Sequence, residues 1–301
     1  MQSNYRYTYA PRSPKKDRGC LGRVFIVVLS LFACGLFTCG LSLITYIAFP
    51  PDPINILLMG VDARSGEGLV TRTDSIMLVG LKPQGFRASM LSIPRDLFFN
   101  TPGYGLQRVN IINVLGEQER PGYGPELLKE SMALNFGVQV DHYVRLDFDA
   151  FEALIDAVGG VTIDVERRVE DHAYPTDDFG VETVIFEPGR QHMDGETALK
   201  YARTRHSDDD YFRADRQQQV LTAFTRKLLN PLHLPAVISA LSRHVDTDLS
   251  PVDLLKIAPV VLINAGGFDR LVIDRDYIVA VEGGASPNFI QLDPWINERF
   301  K

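Results

Sequence analysis

The most extended apolar segment of the chain runs from Val24 to Phe49 and contains no charged residue. A helix of this length, rising about 1.5 Å per residue, crosses a hydrocarbon layer of about 30 Å. A cleaved signal peptide is the competing interpretation. Its apolar part is usually only about 7–15 residues long, and Ala48-Phe-Pro is a poor small-x-small cleavage site. The pattern therefore favours a transmembrane helix over residues 24–49.

Beyond this span, short apolar runs alternate with segments whose apolar residues recur at helical spacing. The strands that this pattern predicts are Ile54–Gly60, Ser75–Leu81, Arg87–Ile93 and Val161–Val165, with short ones around Leu271 and Tyr277. The helices that it predicts are Pro125–Phe136, Asp149–Val158, one from about Asp210 through Leu229, Ala236–Val245 and Val252–Ile263. Gly103–Gly124 and Arg167–Glu182 are expected to be loops, and a helix or strand is expected around Tyr201. Strands mixed with helices in this way predict one α/β domain with helices covering a mixed sheet.

The charges on either side of the span predict its orientation. The basic residues before it, against the single acid Asp17, are Arg6, Arg12, Lys15, Lys16, Arg18 and Arg23. Because positive charge stays in the cytoplasm, residues 1–23 are predicted to be a cytoplasmic tail and residues 50–301 an extracytoplasmic domain. The chain carries −7 overall and +5 in its first 49 residues, which leaves −12 for the outer domain. An acidic domain argues against nucleic-acid binding, which needs a basic surface.

One short segment of this acidic domain is rich in arginine. Tyr201–Gln219 holds four arginines and a run of glutamines, and its arginines are Arg203, Arg205, Arg213 and Arg216. Arginine binds phosphate oxygens two at a time through its planar guanidinium. On a strand, Arg203 and Arg205 would point to one face, and on the following helix Arg213 and Gln217 share a face. The segment predicts a site for a doubly charged group such as a pyrophosphate, with a solvated turn of mutually paired charges as the alternative.

Two aspartates and an arginine follow or begin neighbouring predicted strands. Asp62 follows the first strand, Asp74 begins the second and Arg95 follows the third. Two carboxylates brought together at strand ends would repel each other unless a cation lay between them, and oxygen ligands favour Mg²⁺, with Mn²⁺ as the second choice. An ordinary turn role is the alternative for each aspartate taken alone.

The motifs that carry these residues resemble the LytR-CpsA-Psr family of cell-envelope ligases. They occur in family order behind one N-terminal span, and they are Asn55–Asp62, Thr71–Ser75, Ser92–Asp96, Val158–Val165, Gln191–Gly195 and the arginine segment. The resemblance implies a three-layer α/β/α sandwich with a mixed central sheet. It also implies transfer of a phosphoglycan, such as teichoic acid or a capsule polymer, from a polyprenyl-pyrophosphate carrier in the membrane to a peptidoglycan hydroxyl.

The same resemblance gives the candidate residues their roles. Asp62 and Asp74 resemble the carboxylates that hold Mg²⁺, and Arg95, Arg203, Arg205, Arg213 and Gln217 resemble the pyrophosphate-binding group. The catalytic candidates are Asp74, Arg95 and Arg205, with Asp74 or Asp96 conceivable as the base for the acceptor hydroxyl. Two alternatives stay open: a polyprenyl-pyrophosphate pyrophosphatase, in which water replaces the sugar hydroxyl, and a non-catalytic lipid-binding or regulatory membrane protein.

Overall fold

A computed structural model describes residues 20–63, 68–176, 180–204 and 210–301. The chain forms two units, Met1–Pro50 and Pro51–Lys301. In the first unit, helix α1 (Cys20–Ala48) contains the apolar run, and its segment Val24–Ala48 is long and apolar enough to cross a membrane. The side chains described along that segment are almost all exposed. By length and composition α1 fits a membrane anchor.

The second unit is built on a mixed sheet. The strands of the chain are β1 (Ile54–Val61), β2 (Thr73–Lys82), β3 (Arg87–Ser92), β4 (Phe98–Thr101), β5 (Gly105–Arg108), β6 (His142–Leu146), β7 (Val161–Val165), β8 (Val169–Pro175), β9 (Val181–Phe186), β10 (Gly189–Met193), β11 (Asp246–Thr247), β12 (Asp269–Val272), β13 (Ile278–Val281) and β14 (Gly284–Pro287). The central sheet has the order β11–β6–β1–β2–β3–β12. β1, β2 and β3 are antiparallel neighbours, whereas β6 runs parallel to β1 and β12 parallel to β3.

The strand directions define two distinct ends of the sheet. β1 and β3 end where β2 begins, and we call this end the site edge. β1, β3 and β6 begin where β2 ends, and we call this end the linker edge because residues 49–53 lead into it from α1. Strands rise about 3.3 Å per residue, so the eight residues of β1 separate the two edges by about 25 Å.

Helices cover both faces of the sheet. The helices after α1 are α2 (Ile112–Glu119), α3 (Gly124–Phe136), α4 (Phe148–Ala157), α5 (Gly195–Arg203), α6 (Asp210–Lys227), α7 (Leu234–His244), α8 (Pro251–Ile263) and α9 (Phe289–Phe300). Side chains alternate along the strands. Leu57 and Leu78 face a core with α2, α3 and α9, whereas Ile56 and Val79 face α8 and part of α6. Three layers therefore form, as the family resemblance implies.

A second core lies beside the sandwich. α4, α5, α6 and α7 pack there against the two-stranded pairs β7–β10 and β8–β9. Aspartates begin two of these helices: Asp147 accepts the backbone N–H of Ala150 in α4, and Asp194 accepts that of Thr197 in α5. Such caps supply a partner for helix-start N–H groups that have none within the helix.

Three sequence expectations were wrong. Gly103–Gly124 is not a loop throughout, because it contains β5 and α2. Arg167–Glu182, also expected to be a loop, contains β8 and the start of β9. Of the two alternatives left open around Tyr201, the helix is found and the strand is wrong, because Arg203 is the last residue of α5; Arg205 lies outside the described residues.

Candidate active site

A β-bulge at the site edge sets the position of Asp74. Gly60 pairs with Ser75, but the next residue of β1, Val61, pairs with Thr73. Asp74 is therefore the extra residue on β2. A bulge changes the direction of its side chains relative to a regular ladder, and such bulges are common beside active sites.

The carboxylate of Asp74 binds the guanidinium of Arg95. Arg95 follows the end of β3, and its Nη1 donates to Oδ1 of Asp74 at 2.6 Å. Both side chains are only partly exposed, which strengthens a charge-assisted bond relative to one in open water. Arg95 Nε is buried and has no hydrogen-bond partner among the described residues, although Asp96 Oδ2 lies 3.8 Å away. Arg95 thus has a buried donor that an oxygen of a bound anion would satisfy.

Helix α6 brings two further polar side chains to the start of β2. Arg213 is only 5% exposed, and its Nη2 lies 3.4 Å from the backbone oxygen of Asp74. Gln217, one turn later, accepts a hydrogen bond from Ser75 Oγ at 2.8 Å. The expectation that Arg213 and Gln217 share one helix face is met. Asp74, Arg95, Arg213 and Gln217, which we call the strand-end group, therefore come from three separate parts of the chain.

The other arginines of the segment have different surroundings. The guanidinium of Arg203 stacks on the ring of Phe148, 3.8 Å from its centroid, and donates to the hydroxyl of Tyr174 at 3.1 Å. Arg216 is buried and donates to the backbone oxygens of Tyr201 and Thr204, so it ties α6 to the end of α5. Arg205 lies outside the described residues. The structure therefore places Arg213 in contact with the backbone oxygen of Asp74, whereas Arg203 contacts Phe148 and Tyr174.

Burial has a clear electrostatic effect on the tyrosines beside these arginines. It raises the pKa of Tyr201 to about 12, and it raises the pKa of Tyr174 although the positive charge of Arg203 opposes that shift. Both phenols are therefore protonated at neutral pH. Tyr201 donates its hydroxyl hydrogen to Gln219, which keeps α5 and α6 in contact behind the strand-end group.

Asp62 lies next to the bulge but is held through its backbone. Its N–H donates to the carbonyl of Arg72 at 3.2 Å, and its carbonyl accepts from the hydroxyl of Thr71 at 2.9 Å. The Asp62 side chain is exposed. Asp62 and Asp74 therefore belong to adjacent strand ends, as predicted, and only Asp74 has a direct bond to Arg95.

The acids at the site edge suit a divalent cation only in combination with a substrate. Within residues 20–63, 68–176, 180–204 and 210–301, no group of three or more His, Cys, Asp or Glu side chains is arranged to hold a metal. Asp62 and Asp74 supply two carboxylates, and one oxygen of Asp74 already binds Arg95. Mg²⁺ commonly takes one or two carboxylates and completes its coordination with phosphate and water. The donor set fits an ion that binds together with a phosphate substrate.

Sequence reasoning missed Asn110 and a buried polar network behind the site edge. Asn110 is buried, accepts from Thr73 and donates its N–H to the carbonyl of Arg95 at 3.2 Å, so it links both strand ends. Deeper in the domain, Arg145 of β6 binds Glu117 at 2.6 Å and Asn113 at 3.0 Å. No spacing rule marks these residues, because the partners just named are 15 or more positions away along the chain.

That network reaches the loop before Asp74. Asn113 donates its side-chain amide to the carbonyls of Leu69 and Thr71, at 3.0 and 2.8 Å. Glu117 accepts the backbone N–H groups of Gly122 and Gly124 as well as the Arg145 bond. The buried side-chain amide of Asn113 therefore fixes the loop that leads into β2, and Arg145 in turn binds that amide.

Comparison with known proteins places these motifs in one family. The LytR_cpsA_psr family profile matches residues 47–284, which include both edges of the central sheet. The chain is 32% identical over 203 residues to the polyisoprenyl-teichoic acid–peptidoglycan teichoic acid transferase TagU of Oceanobacillus iheyensis, covering 66% of this chain and 59% of that protein. It is 33% identical over 202 residues to the regulatory protein MsrR of Staphylococcus aureus, covering 65% and 56%. The chain thus spans less than three fifths of the length of these two curated relatives.

The fold has solved counterparts. The crystal structure of TagV from B. subtilis superimposes with a TM-score of 0.65 and 26% sequence identity, and the match covers 83% of this chain and 97% of that one. The match covers most of this chain and nearly all of the TagV chain, so the two proteins share this fold.

Proposed function

The chain belongs to the LytR-CpsA-Psr family, and from that membership and the strand-end group we propose that it transfers a phosphoglycan from a polyprenyl-pyrophosphate carrier to a cell-wall hydroxyl, with peptidoglycan as the acceptor. The observation that carries the proposal is the convergence of Asp74, Arg95 and Arg213 from separate elements. Cationic and acidic groups meeting at one strand edge suit an anionic, metal-associated substrate better than a neutral one. The name of the relative TagU, a teichoic acid transferase, gives the substrate class.

In the proposed reaction, the acceptor hydroxyl attacks the glycan-side phosphorus. A new P–O bond forms to the acceptor, the bond to the bridging oxygen breaks, and polyprenyl phosphate leaves with that oxygen. The hydroxyl proton passes to a carboxylate, for which Asp74 and Asp96 are the candidates. Arg95 and Arg213 neutralise charge on the phosphate oxygens, which is usually the largest contribution in such transfers.

Residues around the strand-end group have supporting roles. Arg95 Nε is buried and donates to no oxygen among the described residues, so it suits a phosphate oxygen as acceptor. Gln217 and Ser75 hold α6 against β2, which fixes the distance between Arg213 and Asp74. Mg²⁺, or Mn²⁺, held by Asp62 and Asp74 together with the substrate would withdraw charge from the pyrophosphate. We place Arg203 and Arg205 in the same phosphate-binding group as a prediction from the family.

The proposal includes a place in the cell. We propose that α1 crosses the cell membrane once, with residues 1–23 in the cytoplasm and the folded domain outside. The basic residues before the span and the prolines after it support this orientation. A lipid-linked substrate in the outer leaflet would then be on the same side of the membrane as the site.

The test is transfer by the full-length chain in nanodiscs that contain a labelled polyprenyl-pyrophosphate glycan, with peptidoglycan fragments as acceptor. Arg95→Gln removes the bond to Asp74 and one cationic donor, and we expect a loss of about 10²–10³ in kcat. Arg87→Gln is the matched control. It lies at the other end of β3, is exposed and pairs with Glu298, so transfer should remain at the wild-type rate.

Three outcomes would contradict the proposal. Equal rates for Arg95→Gln and the unchanged chain would remove the strand-end group from the reaction. Release of glycan phosphate to water at the same rate with and without acceptor would indicate the pyrophosphatase. Binding of the lipid without any turnover, with Mg²⁺ or Mn²⁺ supplied, would indicate a non-catalytic lipid-binding or regulatory protein; the relative MsrR is named a regulatory protein.

A further inference from the structure

Helix α8 has an apolar side chain on nearly every face. Its inner face packs on the sheet through Ile257 and Val260, which are buried with Ile56 and Val79. A helix that is apolar all round is normally covered on all sides, either by protein or by lipid. In α8 the sheet covers only the inner side.

The outer face of α8 is apolar and exposed. Val252, Leu255 and Ile263 are 60%, 75% and 61% exposed, and Leu262 is exposed as well. At 3.6 residues per turn these positions fall within an arc of about 100°, on the side opposite Ile257. We call them the outer α8 face. Large aliphatic side chains grouped on one helix face mark a contact surface more often than scattered ones do.

Both ends of α8 are fixed at the linker edge of the sheet. Near its start, Asp253 Oδ2 lies 3.6 Å from Nε2 of His142, the first residue of β6. At its end, Asn264 donates its side-chain amide to the carbonyl of Phe86, in the turn between β2 and β3, at 2.8 Å. The helix therefore lies across the strands along the linker edge, about 25 Å from the site edge.

The turn that receives the end of α8 also binds the linker from α1. Gln84, in the same turn as Phe86, donates to the carbonyl of Pro51 at 3.0 Å. Pro51 is three residues after Ala48, where α1 ends, and three residues extend at most about 10 Å. Pro51, to which this turn binds, is therefore at most about 10 Å of extended chain from the last residue of α1.

We propose that the outer α8 face is a membrane-docking surface that inserts its aliphatic side chains into the outer leaflet beside the anchor. This inference rests on the membrane anchoring in the proposed function and adds a second, non-covalent contact. An interfacial helix buries its apolar face about 5–10 Å deep at the boundary between head groups and acyl chains. Docking through α8 sets the linker edge against the lipid and holds the strand-end group about 25 Å above it.

The experiment uses tryptophan as a depth probe in the full-length chain. The sequence has a single tryptophan, Trp295, so Trp295→Phe provides a silent background. In it, Leu255→Trp is reconstituted as one copy per nanodisc, with and without phosphatidylcholine brominated on its acyl chains. We expect blue-shifted emission and a clear loss of intensity in the brominated discs. Ile263→Trp is the second probe and should behave in the same way.

Ile290→Trp is the matched control. Ile290 is also a large aliphatic residue, 87% exposed, but it lies in α9 on the other face of the sheet. Its emission should stay that of a water-exposed indole, without quenching by bromine. Equal emission and equal quenching at Leu255 and Ile290 would overturn the proposal. So would a blue shift at Leu255 without quenching, because protein rather than lipid would then cover the face.

A second measurement separates failure of docking from failure of the proposed reaction. Leu255→Glu should lower transfer from a membrane-embedded carrier but leave transfer from a short-chain, water-soluble carrier unchanged. Normal rates with both carriers would overturn docking while the transfer activity stands. A wild-type chain that enters the discs and docks but transfers from neither carrier would contradict the proposed function alone. A chain that does not enter the discs would refute the anchor and docking together.

Discussion

Replacing Glu117 should reveal how much stability the buried Arg145 network contributes. Glu117 accepts a 2.6 Å bond from Arg145 and two backbone N–H groups, from Gly122 and Gly124. Glu117→Gln keeps the shape and one acceptor but removes the charge. Glu117→Ala removes both carboxylate acceptors and leaves a cavity where Cγ, Cδ and the two oxygens were, in a region where both partners are buried.

The expected loss of stability depends on which hydrogen bonds Arg145 retains in the variant. Breaking a buried ion pair by removing one partner costs about 3–5 kcal/mol when the remaining charge is left alone. Arg145 is not left alone, because Asp246 still accepts from its Nε at 2.8 Å and Asn113 from its Nη1. The loss for Glu117→Gln is therefore about 2 kcal/mol, the worth of one hydrogen bond to a charged group. Glu117→Ala adds two unsatisfied N–H groups and should cost about 4 kcal/mol.

The pKa of Glu117 gives the effect a pH signature. Burial by itself would raise this pKa, but the bonds from Arg145, Gly122 and Gly124 outweigh it, so the pKa is lower in the folded state than in the unfolded chain. A carboxyl with a depressed folded pKa stabilises the fold fully above its unfolded pKa, about 4.3, and loses that contribution as the pH falls further. The difference between the unchanged chain and Glu117→Gln should therefore be full at pH 7 and shrink below about pH 4.

The assay is urea unfolding of the full-length chain in nanodiscs. Unfolding is monitored through the fluorescence of Trp295, which packs against the core between the sheet and α2, α3 and α9. Glu130→Gln is a suitable control, because Glu130 is an exposed acid on the next helix that accepts a hydrogen bond from the hydroxyl of Tyr123. A Glu117→Gln chain within about 0.5 kcal/mol of the unchanged protein at pH 7 would refute the reasoning, since surface substitutions alone reach that size. A difference that stayed constant down to pH 3 would refute the electrostatic part.

Two further predictions concern local structure. Gly160→Ala should cost several kcal/mol more than Gly159→Ala in the same urea assay. Both glycines have positive φ, but only at Gly160 would a Cβ meet a backbone oxygen, that of Met193, at 2.6 Å; equal losses would contradict this. Ser250→Ala should lower stability by about 1 kcal/mol through loss of the α8 capping box. It should also raise the pKa of Asp253 from about 2, because the Ser250 hydroxyl is the main cause of that low value, and an NMR titration that shows no rise would exclude the cap as the cause.

Much of the fold could be predicted from the periodicity of apolar residues. The predicted bounds lie within one residue of the observed ones for β1, β3, α3 and α8. In each of these elements, burial of one or both faces fixes which positions are apolar. β6 was missed because His142 and Arg145 break its apolar pattern, and only the folded domain supplies the acids that pair with them. The hairpin β8–β9 was missed because it is acidic and half exposed, so its pattern resembles that of a loop.

The candidate site was predicted in part for similar reasons. Helical spacing alone places Arg213 and Gln217 on one face of α6. The contact between Asp74 and Arg95 follows from the antiparallel pairing of β2 and β3, which brings the start of one strand beside the end of the other. The surroundings of Arg203 did not follow, because the end of α5 depends on packing against Phe148 and Tyr174. Asn110 and Asn113 lie in what the sequence suggested was a loop, so their links to the strand ends had no local signal.

The position of the Asp74 side chain depends on one extra residue in β2, the residue that forms the bulge. A deletion of one position there would let β1 and β2 pair without interruption, and the ladder would gain regularity. The same deletion would remove the Asp74 carboxylate and turn the side chain of Thr73, the first residue of β2, to the opposite side of the sheet. Regular strand pairing and the contact between Asp74 and Arg95 therefore require different numbers of residues here. A relative that lacks this residue is expected to keep its stability but to lose that contact.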